Sequence, residues 1–413
     1  MIRTGLDDDL DPGPRDEADP LSHLRSRFVG AQSPLVYLDG NSLGRPLTVT
    51  AARLAEFVTG EWGTRLIRGW DERWMELPTT LGDDLGPVVL GAAPGQVAVS
   101  DSTTVWLYKL LRAGVDAQLR RDPRRTEIVV DTDNFPTDRY VAEGIAAERG
   151  CTVRWVEVAA HEGLTPELLA EALGERTNVV VLSHVAYRSA YLAPVPALAE
   201  LTHASGGLLL LDVCHSAGSV PVELDAWGVD LAVGCTYKYL DGGPGSPALG
   251  YVAARHHGTL AQPVQGWMGH AEPFAMGPGY RPAAGIRGFL SGTPPILGML
   301  AMQDMLALLE EAGIEAVRAK SVALTDYAVA LSDAWLAPLG VTLASPRDAE
   351  RRGGHVTLSH PRMREVVAAL WADDVLPDYR DPHGLRVGLS PLSTSFEEVH
   401  RGLASVRALL QPD

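Results

Sequence analysis

The run LLLLDVCHSAG sets Asp212 and His215 directly behind the most apolar stretch of the chain, and GCTYKYLDGGPG sets Lys238 between Tyr237 and Tyr239 behind the next apolar run. In parallel α/β sheets, ligands sit beyond the carboxyl ends of the strands, where loops converge. An acid and an amine delivered there can bracket one heterocycle. The amine forms a Schiff base with an aldehyde, and the carboxylate keeps a ring nitrogen protonated so that the ring draws electrons. Those are the requirements of pyridoxal phosphate (PLP), with His215 placed to support or orient the ring. Taken alone, Asp212 reads as a turn cap and Lys238 as a surface lysine; their pairing and flanking motifs favour chemistry. The glycines after Lys238 let backbone pass close to a flat ligand.

Other polar residues fall at matching places. In SDSTTVWLYK, Thr103 and Thr104 lie at a predicted helix start, where free N–H groups and the positive dipole end favour phosphate. DNFPTDRY offers Phe135, whose ring could stack on a cofactor, and Asp138. VLSHVAYRSA offers Ser183, and GWMGH places the Trp267 indole in a glycine-flanked loop. Each has a plainer reading as an N-cap, core aromatic or interface residue.

The elements that would position these groups alternate from about residue 87 onward. QVAVS, EIVVD, TVRWVEV, TNVVVLSHV, LLLLDV and VDLAVGCTYKYL read as strands. Helical segments lie between the earlier ones, and ALGYVAA reads as an antiparallel return. Nearly continuous apolar strands separated by helices predict an α/β fold with a mostly parallel sheet covered on both faces. The helix STTVWLYKLLRAG is expected to be capped by Ser102 and to end at Gly114. Beyond Pro295 a long helix, about 295–335, leads to GHVTLSH, a helix at 362–372, LRVGLS and a last helix near 395–411. That tail reads as a smaller α+β domain. The expected division is an N-terminal segment, 1–59, packing on the small domain; a large cofactor-binding domain, 60–300; and the small domain, 301–413.

Composition narrows the function classes. A chain of 413 residues exceeds one compact core, and its formal charge of −17, from 35 Lys+Arg against 52 Asp+Glu, argues against nucleic-acid or anionic-membrane partners. The three cysteines, Cys151, Cys214 and Cys235, have no CxxC spacing, so no metal site is expected and a reducing compartment fits. Residues 1–20 are acidic and proline-bearing, unlike a signal peptide, and no run of 18 apolar residues occurs; a cytoplasmic location is expected.

The segments YLDGNSLG, FPTD, LDVCHSAG, YKYLDGGPG, GWMGH, GTPPIL and LRVGLSPL, in this order, resemble kynureninase from about Pro20 to near the C-terminus. Kynureninases are PLP-dependent hydrolases of fold type I, in the class V aminotransferase-like group. The resemblance implies Lys238 as the Schiff-base lysine, Asp212 on the pyridine nitrogen with His215 beside it, Phe135 stacked on the ring and Asp138 completing its polar surround. It implies Thr103, Thr104, Ser183 and Tyr237 near the phosphate, and Tyr237 as a proton donor. Arg386 would clamp the substrate α-carboxylate, and Ser42 and Trp70 would border its aromatic ring. Trp267 and Thr293 would reach in from the other subunit of a homodimer.

The implied reaction is hydrolytic Cβ–Cγ cleavage of L-kynurenine to anthranilate and L-alanine, a step of tryptophan catabolism and NAD biosynthesis, with 3-hydroxykynurenine as a further substrate. Trp70 and the Gly292-Thr293 pair resemble the bacterial forms that favour the unsubstituted substrate. Trp106 stands where the family often has asparagine and Ser393 where tyrosine is common, both expected to reshape the pocket. The rivals are a related PLP-dependent lyase acting on a modified kynurenine-like amino acid and a catalytically silent PLP-fold binding protein. A cysteine desulfurase needs a nucleophilic cysteine in the small domain, and this chain has none after Cys235.

Overall fold

The computed structural model describes residues 10–159 and 161–411. The first nine residues of the acidic leader therefore lie outside the described residues. Strands in chain order are β1 Val36–Tyr37, β2 Val97–Ser100, β3 Glu127–Asp131, β4 Thr152–Val156, β5 Thr177–Ser183, β6 Leu208–Asp212 and β7 Leu231–Gly234. They continue with β8 Ala248–Val252, β9 Thr342–Leu343, β10 His355–Ser359, β11 Val375–Leu376, β12 Asp378–Arg380 and β13 Gly384–Gly388.

The apolar strands assemble as their sequences require. A seven-stranded sheet runs β2-β8-β7-β6-β5-β3-β4. The β4-β3, β3-β5, β5-β6 and β6-β7 pairs are parallel, and β8 returns antiparallel to both neighbours. Side chains alternate between faces. Val180, Leu182, Leu209 and Leu211 join one buried cluster, and Val179, Val181, Leu210 and Val233 join another. Burial on both faces is why LLLLD shows no polar alternation.

The C-terminal part has its own antiparallel sheet, β12-β13-β10-β9, and a parallel pair, β1-β11. Its core of Leu324, Val356, Leu385, Val387 and Leu403 also takes in Val36 and Leu38 from near the N-terminus. Leu21, Leu24 and Phe28 instead pack into the core of the large sheet.

Two glycines act differently from the sequence expectation. The helix capped by Ser102 does not stop at Gly114 but runs Thr103–Arg121. Gly114 faces the sheet, where an added Cβ would meet Val179 at 3.3 Å and Leu231 at 3.4 Å; close packing, not termination, explains it. The long helix is two, Ile296–Ala312 and Ile314–Leu331, divided at Gly313, whose φ of 76° an L side chain rarely adopts.

Candidate functional site

Strands β5 and β6 end side by side, with Ser183 paired to Asp212 and Asp212 paired to Val233 of β7. The loops leaving these ends enclose a cavity of about 130 Å³. Thr103, Thr104, Phe135, Asp138, Ser183, Asp212, His215, Tyr237 and Lys238 all line it. Residues drawn from separate stretches of the sequence thus share one site because their strands run the same way.

Lys238 is buried, with its Nζ 2.9 Å from His215 Nε2 and 5.9 Å from the Phe135 ring centre. His215 is held well below the usual imidazole range, first by burial and then by Lys238, so its ring is neutral. Asp212 Oδ1 accepts from the Cys214 amide at 2.6 Å, which fixes the carboxylate at the strand end. Asp138 is wholly buried and pushed well above the carboxylate range, first by burial and then by the Asp212 charge. Its Oδ2 has no hydrogen-bond partner in strict geometry among the described residues. Facing carboxylates disfavour double ionisation, so this corner would suit a cationic group such as a protonated ring nitrogen.

At the helix start on the cavity wall, Ser102 Oγ accepts from the Val105 amide at 3.4 Å, and the first-turn amides of Thr103 and Thr104 have no intrahelical partner. Such an N-terminus suits an anion. A lysine, an acid pair, a flat-faced aromatic and an anion cradle around one cavity fit PLP.

Arg386 in β13 is 1% exposed. Nη1 donates to the Tyr187 carbonyl at 2.8 Å and Nη2 to Ser42 Oγ at 2.6 Å. Nη2 also lies 2.8 Å from Asp378 Oδ2 and 3.7 Å from Asp39 Oδ1. The orientation of the Asn41 amide that satisfies both neighbours accepts from Arg386 Nε at 3.0 Å and donates to Asp39 at 3.1 Å. Burial pushes Asp39 up to about 6. The loop carrying Asn41 and Ser42 is pinned where the Gly44 amide donates to the Tyr237 carbonyl at 2.8 Å.

Other expected residues lie apart. Trp70 does not line the cavity; it stands edge-on to Trp267 at 6.2 Å and to Trp74 at 5.3 Å. Trp267 also meets Phe274 at 6.0 Å, and Thr293 is exposed. Trp106 does not line the cavity. It is fully buried under β8, donates to the Ser100 carbonyl at 2.7 Å, and its ring fills the space beside Gly250. Ser393 is buried against Ser390, and its carbonyl accepts from Arg25 Nε at 3.3 Å; it does not line the cavity either.

Sequence reasoning missed Thr137, Tyr187 and Cys214 on the cavity wall. It also missed Asn134, whose Oδ1 accepts from Ser183 Oγ at 2.9 Å, and the Asp39–Asn41–Asp378 surround of Arg386. All but Asp378 lie within a few positions of a selected residue, so proximity to the motifs was their available signal.

Comparison with known proteins agrees. Residues 317–406 match the kynureninase C-terminal domain. A kynureninase of Burkholderia pseudomallei (strain 1106a) is 42% identical over 401 residues, covering 96% of this chain and 94% of that protein. The chain belongs to the kynureninase family. A second family member, from Pseudomonas fluorescens, is 41% identical over 387 residues, 93% of this chain and 91% of its own length. Among solved structures, a C-DES mutant with glycine covalently linked to its PLP cofactor superposes with a TM-score of 0.82 at 20% identity, covering 93% of this chain and 98% of that one. At that identity the likeness concerns the fold.

Proposed function

We propose that this protein is a PLP-dependent kynureninase that hydrolyses L-kynurenine to anthranilate and L-alanine. The observation that carries the reading is the convergence of Lys238, Asp212 and the Thr103–Thr104 helix start on one cavity. Family membership supports the same activity.

Bound PLP supplies an electron sink for negative charge developing at the substrate's Cα and Cβ. Lys238 holds the cofactor and carries the α-proton. Asp212, with Asp138 kept neutral beside it, holds the ring nitrogen protonated. Thr103, Thr104 and Ser183 would hold the phosphate, and Phe135 would pack against the ring. Burial raises the Tyr237 phenol above its ordinary value, so it stays protonated near neutrality and can donate to the departing carbon. Arg386, already fixed by Ser42 and Tyr187, offers a planar fork to the substrate carboxylate, which sets orientation rather than chemistry.

The proposed assembly is a homodimer with shared sites. Ile67 is 77% and Met276 78% exposed, and Trp62, Leu66 and Phe274 are exposed beside them in sequence. Apolar groups this open favour a covering partner. In a dimer, Trp70 would accompany Trp267 and Thr293 toward the partner's cavity, with Ser42 serving its own. A cytoplasmic location is proposed from the free cysteines and the acidic composition; no described helix is long and apolar enough to cross a membrane.

The test combines two readings on one purified sample: the visible absorbance of lysine-linked PLP, and anthranilate fluorescence after addition of L-kynurenine. Both signals are expected. Absorbance without anthranilate would favour the related lyase, and a colourless protein after PLP incubation would remove the cofactor.

A further inference from the structure

His355 opens β10 and is wholly buried, yet neither ring nitrogen has a hydrogen-bond partner among the described residues. Its ring centre lies 5.5 Å from that of His215, whose Nδ1 is likewise buried and unpartnered. Polar atoms cut off from solvent are nearly always paired. Orphaned nitrogens on two adjacent rings, immediately behind Lys238, therefore call for an explanation beyond packing.

Register accounts for the placement. His355 pairs with Gly388 and Thr357 with Arg386, so His355 and Arg386 share one face of the C-terminal sheet. From that face, Arg386 reaches the Tyr187 carbonyl and His355 reaches His215. The largest charged influences on the two rings are Lys238 after β7, Arg386 from β13 and Arg380 from β12, all cationic, while Lys238 itself interacts with Asp138 and shares its cavity with Asp212. The backbone of Tyr187 and Arg188 stands near enough to His355 to favour a proton on its ring, though outside strict hydrogen-bond geometry, and the buried Tyr239 hydroxyl lies beside Gly354. Burial and this cationic surround hold both imidazoles neutral.

A neutral imidazole carries one donor and one acceptor. His215 Nε2 faces the Lys238 amine at 2.9 Å; with Nε2 as the acceptor, the ring proton would sit on Nδ1, on the side away from the lysine. We propose that His355 is a positioning residue for Lys238. One of its nitrogens, through a single bridging water, accepts from His215 Nδ1–H and so keeps Nε2 as the unprotonated nitrogen facing the lysine. The inference rests on the PLP reading above and deepens it: the basicity of the cofactor-linked lysine is set partly from the sheet that carries Arg386.

The test titrates the absorbance of lysine-linked cofactor against pH in the holoenzymes of the unaltered chain, His355→Phe and His355→Gln, alongside steady-state kinetics. Without the acceptor, His215 can turn Nε2–H toward the lysine and disfavour its protonated form. His355→Phe is therefore expected to lower the titration midpoint by about one pH unit and kcat by about tenfold, with KM changed less than about twofold. His355→Gln keeps an acceptor and is expected to return the midpoint toward that of the unaltered chain. If His355→Phe does not retain cofactor, His355→Met serves as the apolar variant under the same criteria. An unmoved midpoint in the apolar variant, or equal shifts in the apolar and Gln variants, overturns the proposal. An unaltered chain without cofactor absorbance overturns the PLP reading itself, and that failure shows before any variant is compared.

Discussion

Arg386 Nη2 donates to Ser42 Oγ at 2.6 Å, a contact between residues 344 positions apart. It joins β13 to the loop after β1, and the same guanidinium lies against Asp378 and Asp39. A buried cation held this way is ready to exchange one carboxylate contact for another. Arg386→Lys keeps the charge but loses the fork. The expected outcome is a rise in KM for L-kynurenine of about tenfold or more with kcat changed less than about threefold, read from initial rates of anthranilate release. Unchanged KM would remove Arg386 from the substrate site.

Lys238→Ala is expected to abolish lysine-linked PLP absorbance and to lower kcat by about 10³-fold or more, since both cofactor anchoring and proton transfer are lost. Spectra and single-turnover measurements check this. Retention of the band would mean that another amine holds the cofactor.

The acid pair predicts an asymmetry. Asp138 is kept protonated by burial and by Asp212, so Asp138→Asn replaces one neutral group with another and is expected to cost less than about fivefold in kcat. Asp212→Asn removes the charge proposed to hold the ring nitrogen protonated, and is expected to cost about 100-fold or more. Equal losses would contradict the charge assignment.

Gly44 lies where the N-terminal loop crosses the turn after Lys238; an added Cβ would lie 1.4 Å from Asp241 Oδ1 and 2.4 Å from the Lys238 carbonyl. Gly44→Ala must displace that turn and is expected to lose activity and lower the melting temperature. Gly60→Ala, whose added Cβ would meet nothing within 4 Å beyond its own helix backbone among the described residues, is expected to do neither. Similar behaviour of the two variants would show that the loop yields freely.

Burial pulls His184 down from 6.5 to about 3. Below its unfolded value, the unfolded chain takes up a proton that the folded chain refuses, so this residue costs stability as pH falls from about 6.5 to about 3. His184→Phe lacks that linkage and keeps a ring edge-on to Trp227, whose ring centre is 5.1 Å away. Relative to the unaltered chain, the variant is expected to gain up to about 1.4 kcal/mol per pH unit of acidification in that window. Denaturant unfolding near neutral and mildly acidic pH measures the difference; a pH-independent difference would show that His184 titrates normally when folded.

The large sheet and its site were legible because parallel strands buried on both faces write themselves as uninterrupted apolar runs, and the residue ending each run lies at the ligand edge. LLLLD and TNVVVLS gave strands, and with them Asp212 and Ser183 as neighbours in register. The glycines were less legible. Gly114 and Gly313 look alike in sequence, but one is set against Val179 and the other occupies a positive φ, a distinction made by neighbours and backbone.

Trp106 also looked placed for the pocket, since it follows Thr103 and Thr104. A helix turns about 100° per residue, and that rotation points its indole into the core beneath β8. The surround of Arg386 and the approach of His355 to His215 depend on two sheets meeting after long stretches of intervening chain. By itself, the sequence determined the local periodicities, the strand ends and the residue types that chemistry needs. Tertiary structure alone decided which distant side chains touch and which carboxylate stays protonated, because burial and the field of neighbouring charges exist only once the chain has packed.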